Sequence, residues 1–287
     1  MGDQSRAELQ VKPMLGGLGA ELEGVNIASE LDADQVTAIQ AALWQNHLVV
    51  FRDQPLDPQE QIRFGRCFGA LKEHPFIGSL NGYPEIMVVR KEPDDEHNFA
   101  GAWHTDTSYQ VTPALASMLQ AVEVPANLGD TLFCNMVAAC DALSESMREF
   151  LEQHEAIHSF TGRSMAGREQ DLGYGALAQN HQAAARIAQP VIRTHPGSGR
   201  KAIYVNPMFT ESIIGLTEEE SETILSLLYR HCIRPEFILR LRWQPGTVVI
   251  WDNLTTMHCP LNDYHGHRRV MHRVVIAGSE QSGRVLN

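Results

Sequence analysis

The chain has 287 residues, a mass of 32.0 kDa and 43% hydrophobic side chains, enough for a sizeable buried core. Its 23 basic residues against 35 acidic ones leave a net charge of -12, which argues against sequence-independent binding to nucleic acid or an anionic membrane and favours a small-molecule partner. No apolar run reaches the roughly 20 residues that cross a bilayer, and the polar start MGDQSRAELQ lacks the regions of a secretory signal, so a cytoplasmic location is expected.

No internal repeat or Pro/Ser-rich linker divides the chain, and residues 1–287 are read as a single domain with decorations. The segment 31–47 has apolar residues at helical spacing, and LVVFRD after it reads as a strand. A second helix opens at Asp57 as N-cap, with Pro58 at its first position and Glu60 completing a capping box. From residue 85 the pattern turns to short β-rich runs: 85–90, 116–124, 131–135, 190–195, 202–206, 238–243, 247–253 and 270–278. Helices are expected over 136–154 and 217–231, the latter with Thr217 and Glu220 as a capping box. The stretch 161–188 is polar, Gly-rich and too long for a plain connection, which makes it a candidate lid. Many short strands joined by turns imply a sandwich or barrel. The five cysteines (Cys67, Cys134, Cys140, Cys232, Cys259) are odd in number and never spaced as CxxC, so they are expected as reduced thiols.

The chemistry begins at GAWHTDTSYQ. In an extended strand His104 and Asp106, two apart, project to one face while Trp103 and Thr105 point away, so an imidazole and a carboxylate can share an ion. A third donor, His258, follows the apolar run TVVIWDN. Two histidines and one carboxylate form the facial triad that holds non-haem Fe(II) with open positions, and the same set also suits catalytic zinc. Downstream, Arg269 and Arg273 are four apart, so on a strand both face inward with Met271 between them. Two inward guanidinium forks beside a metal suggest two anionic ligands.

Taken together, GGLGAELEGVNI, VVFRDQPLDPQEQ, WHTD, GDTLFCNM, VIRTHPGSGRKAIYVN, RWQPGTVVIWDN and DYHGHRRVMHR resemble the taurine dioxygenase / TfdA family of Fe(II)- and 2-oxoglutarate-dependent dioxygenases, over roughly residues 11–278. The resemblance implies an α+β fold: a double-stranded β-helix (jelly-roll) core with flanking helices, the lid-like insertion at 161–188, and assembly as a homo-oligomer. It implies that His104, Asp106 and His258 hold Fe(II), and that Thr131 and Arg269 bind the distal carboxylate of 2-oxoglutarate. Arg273 would grip the anionic head of a small organic substrate, with His74 and the Thr107 backbone amide nearby. The reaction implied is O2-dependent hydroxylation with release of succinate and carbon dioxide, and no nucleic acid or membrane takes part.

Two positions depart from the taurine enzyme, which has a tyrosine and an asparagine where this chain has Ile77 and Ala100. The anion clamp is kept, but neither of these side chains can offer a polar group to an amine. A bulkier or more apolar substrate is therefore expected: a sulfonate, a sulfate ester or an aryloxyalkanoate-like carboxylate. Two rivals use the same residues, a zinc hydrolase with a metal-bound hydroxide and a non-catalytic anion-binding protein. Against hydrolysis, no glutamate is obviously placed as general base.

Overall fold

Two short runs without polar alternation, Leu48–Phe51 and Val248–Asp252, are what a strand buried on both faces requires. In the computed structural model, which describes residues 9–14, 17–73, 78–98, 100–160, 185–278 and 282–286, these two strands pair antiparallel in the middle of a nine-stranded sheet. The order across it is Gln10–Pro13, Ala20–Glu23, Leu48–Phe51, Val248–Asp252, Ala116–Glu123, Arg269–Ile276, Tyr83–Lys91 and Ser79–Leu80, with Leu71–Lys72 also pairing to Arg269–Ile276. Among the described pairs in this sheet, only Ala20–Glu23 and Leu48–Phe51 run parallel.

Successive side chains of a strand go to opposite faces, and both faces here are covered. Val49, Phe51, Met118, Ile250 and Val274 pack outward beneath the helices Ala33–Asn46 and Pro58–Arg66, meeting Ile39, Leu43, Ile62 and Phe64. Leu48, Val50, Ala121, Val249, Trp251 and Met271 pack inward against Phe133, Leu239, Leu241 and Trp243. Those partners belong to or follow a three-stranded antiparallel sheet, Ile238–Leu241, Thr131–Asn135 and Thr256–Pro260. Two facing sheets with helices on the outer side are therefore the frame of the molecule. Each buried Leu, Ile, Val or Phe contributes on the order of 1.5–3 kcal/mol, so the layers on both faces of the large sheet stabilise the fold.

Local signals start the helices where expected. Asp57 accepts the Glu60 amide at 2.8 Å while Glu60 accepts the Asp57 amide at 2.7 Å, and Thr217 and Glu220 form the same reciprocal pair ahead of Glu218–Cys232. The stretch 136–154, expected as one helix, is two: Met136–Asp141 and Glu145–Glu152. Ser144 divides them, because its extended backbone and its hydroxyl, accepting from the Met147 amide at 3.3 Å, form an N-cap.

The expected strand 190–195 also divides. Ile187–Pro190 joins Thr210–Ile213, Glu155–His158 and Arg284–Val285 in a four-stranded sheet, whereas Ile192–Thr194 pairs with Lys201–Ile203. Proline has no amide hydrogen for a ladder, so the first strand closes at Pro190. The lid expected over 161–188 lies outside the described residues at 161–184, and its end, Ile187 and Ala188, is part of a strand rather than an insertion. None of the five cysteines is in a disulfide. No helix among the described residues is long and apolar enough to cross a membrane.

Candidate metal and co-substrate site

His258 sits at the centre of the strand Thr256–Pro260, and His104 joins it through an isolated antiparallel bridge. His104 N donates to His258 O at 2.9 Å and His258 N to His104 O at 2.8 Å, which brings the rings to 4.1 Å between centroids. Asp106 does not continue a strand as its spacing suggested. It lies in a turn after the bridge, where Thr107 adopts a left-handed φ of 55°. Thr107 Oγ1 accepts the Ala114 amide at 2.8 Å and Thr107 O accepts the Gln110 amide at 2.9 Å, closing the turn. Thr105, on the opposite side of the triplet, is tied to the His258 strand by its hydroxyl, which donates to Thr256 O at 3.1 Å. The turn performs what the strand was expected to do: one ligand atom from each of His104, Asp106 and His258 lies within 4.8 Å of the others.

The donor atoms are prepared for a cation. His104 Nδ1 lies 2.7 Å from Ala102 O, so that nitrogen carries the hydrogen, and the lone pair is on Nε2, 3.6 Å from Asp106 Oδ1. His258 Nε2 is 3.9 Å from the same oxygen. The other carboxylate oxygen, Oδ2, accepts from Ser117 Oγ at 2.7 Å and from Arg273 Nη2. Ser117 is itself held by Asn253 Nδ2 at 3.1 Å. One oxygen is thus anchored by protein donors and the other faces the imidazoles, the arrangement of a ligand that binds through a single oxygen.

Charge follows the same plan. Burial by itself would raise the Asp106 carboxyl, but the Arg273 guanidinium, then His258 and His104, hold it well below the usual carboxylate range. Burial, reinforced by His104, pushes the His258 imidazole far down, leaving it neutral with its lone pair available. A neutral imidazole at His258 and an ionised carboxylate at Asp106 are the protonation states that metal binding requires.

Beside this trio a cavity opens between the two sheets. Val89, Leu119, Trp251, Arg269 and Arg273 line it from the large sheet, and Thr131, Phe133, His258 and Pro260 from the small one, with Ala100, His104 and Trp243 completing the wall. Arg269 and Arg273 face inward with Met271 between them, as the spacing predicted: all three are buried, with the intervening His272 only partly so. Arg269 Nε and Nη2 and Arg273 Nε have no hydrogen-bond partner among the described residues. Burial pushes the Arg269 guanidinium down from its usual value, opposed first by Tyr264, whose ring lies 5.8 Å from it. Buried guanidinium donors without partners are costly unless a ligand satisfies them, and an anion is the ligand that does so. The residues present therefore fit both a divalent metal and an anionic chelate.

Of the other expected site residues, Thr131 lines the cavity, whereas Thr107 is not part of its wall and spends its hydroxyl on the turn. His74 and Ile77 lie outside the described residues. Sequence reading missed Ser117 and Trp243. Strand periodicity contained the signal for both: Ser117 is in the strand Ala116–Glu123, and Trp243 continues the inward alternation of Leu239 and Leu241.

A two-histidine, one-carboxylate set whose histidines line a cavity shared with two buried arginines defines a metal-dependent enzyme working with an anionic ligand. The chain belongs to the taurine catabolism dioxygenase TauD, TfdA family, whose model matches residues 10–275. It is 34% identical over 281 residues to an alpha-ketoglutarate-dependent sulfate ester dioxygenase of Pseudomonas putida, covering 96% of this chain and 92% of that one. It is also 34% identical over 257 residues to the alpha-ketoglutarate-dependent 2,4-dichlorophenoxyacetate dioxygenase of Cupriavidus pinatubonensis, covering 83% and 87% respectively. Among solved structures, a putative alpha-ketoglutarate-dependent taurine dioxygenase from Burkholderia xenovorans superposes with a TM-score of 0.83 at 32% identity, covering 98% of this chain and 95% of that one. The protein is accordingly a 2-oxoglutarate-dependent dioxygenase, an oxidoreductase using Fe(II), 2-oxoglutarate and O2. The zinc-hydrolase reading falls with this, and the described cavity lining contains no glutamate or aspartate to serve as its general base.

Proposed function

We propose that the chain forms one catalytic domain on a double-stranded β-helix core and hydroxylates a small anionic organic molecule at a carbon near its anionic group. His104, Asp106 and His258 would hold Fe(II), Thr131 and Arg269 the distal carboxylate of 2-oxoglutarate, and Arg273 the anionic head of the substrate. Bound Fe(II) with 2-oxoglutarate supplies the oxidising chemistry, consuming O2 and releasing succinate and carbon dioxide. The chain's own residues orient and exclude. Arg273 sits against Asp106 with Nε unpartnered, so a sulfate or carboxylate gripped there is placed beside the metal ligands. The walls supplied by Val89, Ala100, Leu119, Phe133, Trp251 and Pro260 keep water away and accept an apolar substituent.

The observation that carries this reading is the shared cavity: two of the three metal-ligand candidates, His104 and His258, line one space with two inward arginines that have partnerless donors, and Asp106 lies beside both histidines. The substrate class follows from its walls together with the relatives' names. A sulfate ester and an aryloxyacetate each place an oxygen-bearing carbon close to an anion, which matches one arginine beside the metal with apolar surroundings. Hydroxylation of that carbon leaves a hydroxyl and a leaving oxygen on the same atom, so the product collapses to a carbonyl compound and the C–O bond is cleaved. The test is a panel of alkyl sulfates, alkyl sulfonates and aryloxyalkanoates scored by substrate-dependent succinate release. Sulfate esters or aryloxyalkanoates with extended apolar groups should outperform taurine, and a clear preference for taurine would overturn the assignment of substrate class.

A further inference from the structure

One hydrogen bond in the cavity has a direction that admits a single solution. The Trp243 indole has one polar hydrogen and no acceptor, and its Nε1 lies 2.9 Å from Thr131 Oγ1. Trp243 therefore donates and Thr131 accepts. The hydroxyl has one hydrogen of its own to give, and none of the described residues takes it. Both side chains are buried and both line the cavity that Arg269 also lines, with its Nε and Nη2 partnerless.

We propose that Trp243 is a positioning residue for the co-substrate: its N–H occupies a Thr131 lone pair, so the threonine presents its hydrogen to the cavity and acts there as a donor beside Arg269. The proposal rests on the reading that this end of the cavity takes the distal carboxylate of 2-oxoglutarate. An ionised carboxylate accepts only, so a hydroxyl free to rotate would oppose it with a lone pair in part of its orientations. The indole removes that choice before the ligand arrives, which is preorganisation in its simplest form. Local structure explains how it gets there. Thr131 begins its strand between Leu241 and Pro260, and Trp243 extends the inward alternation of Leu239 and Leu241, so the indole comes to rest against the Thr131 side chain.

The test is calorimetric binding to the protein loaded with Mn(II) in place of Fe(II), which needs no turnover, using 2-oxoglutarate and, as a ligand without a distal carboxylate, pyruvate. Trp243→Phe should weaken 2-oxoglutarate binding about tenfold and leave pyruvate binding within about twofold of the wild type. Thr131→Val should weaken 2-oxoglutarate by a similar factor, and the double variant should be little worse than either single one, since the two side chains act through one hydroxyl. Should Trp243→Phe fold poorly, benzothienylalanine at position 243 keeps the indole shape without the N–H and should give the same result. Unchanged 2-oxoglutarate affinity, a parallel loss for pyruvate, or additive effects of the two substitutions would each overturn the proposal. A wild-type protein that binds Mn(II) but not 2-oxoglutarate would overturn the functional reading itself, and this proposal with it.

Discussion

Asp106 shows how much a single side chain is asked to do. Its Oδ2 is held by Ser117 and Arg273, while Oδ1 faces the two histidines, so the carboxylate is oriented before any cation arrives. Replacing His104 or Asp106 by Ala should abolish metal-dependent succinate formation, and full activity in either variant would refute the assignment of the metal site. Ser117→Ala removes only one of the groups that hold the carboxylate. Losses of this kind typically lower metal affinity by roughly 10- to 100-fold, measurable as the Mn(II) dissociation constant. The two arginines should separate in their effects: Arg269→Ala raises the KM for 2-oxoglutarate, and Arg273→Ala raises the KM for the organic substrate. Steady-state kinetics varying each in turn would expose a reversal of these roles.

At the scale of elements, the turn that precedes the strand Thr131–Asn135 bears directly on the site. Gly129 adopts φ +69°, and a Cβ added there would meet Arg269 Cδ and Tyr264 Cδ1 at 3.2 Å each. The left-handed backbone and the close approach both select glycine. Gly129→Ala should destabilise the protein by about 1 kcal/mol or more and displace Arg269, so a lower denaturation midpoint should accompany weaker 2-oxoglutarate binding. Elements with strong local signals were legible in the sequence: the capping boxes at Asp57 and Thr217 mark their helices, and the even spacing of Arg269 and Arg273 places both inward. The break at Ser144 was hidden because the residues on either side continue a plausible helical pattern, and a serine in a polar stretch becomes a cap only when its backbone is extended. The turn at Asp106 was hidden for a similar reason, since a left-handed Thr107 is uncommon and is held by the Ala114 and Gln110 amides that the fold brings to it.

For the molecule as a whole, acid stability is set by imidazoles sealed in the interior. Burial pushes His158 down to about 3, and burial followed by the Arg200 cation pushes His47 down to about 4. In the unfolded chain both accept a proton near 6.5. Below that value the unfolded state holds more protons than the folded one, so stability falls with pH until the lowered values are reached, by about 1.4 kcal/mol per pH unit for each imidazole at full slope. Denaturant midpoints of the metal-free protein should therefore drop between neutral pH and about pH 5, and His158→Gln should flatten the dependence. A midpoint that does not move over this range would show that these histidines are charged in the folded state.

The sequence by itself determined the capped helices, the principal strands, the donor types and the family, because capping chemistry, strand alternation and the identities His104, Asp106, His258, Arg269 and Arg273 are local properties of the chain. Tertiary structure decided what those residues face. The two sheets bring Thr131, His258 and Trp243 opposite Arg269, Arg273 and Trp251, and only that packing leaves one carboxylate oxygen free for a metal, removes water from two guanidinium groups and fixes which way a threonine hydroxyl points. Burial and hydrogen-bond direction depend on neighbours distant in sequence, so no window along the chain contains them.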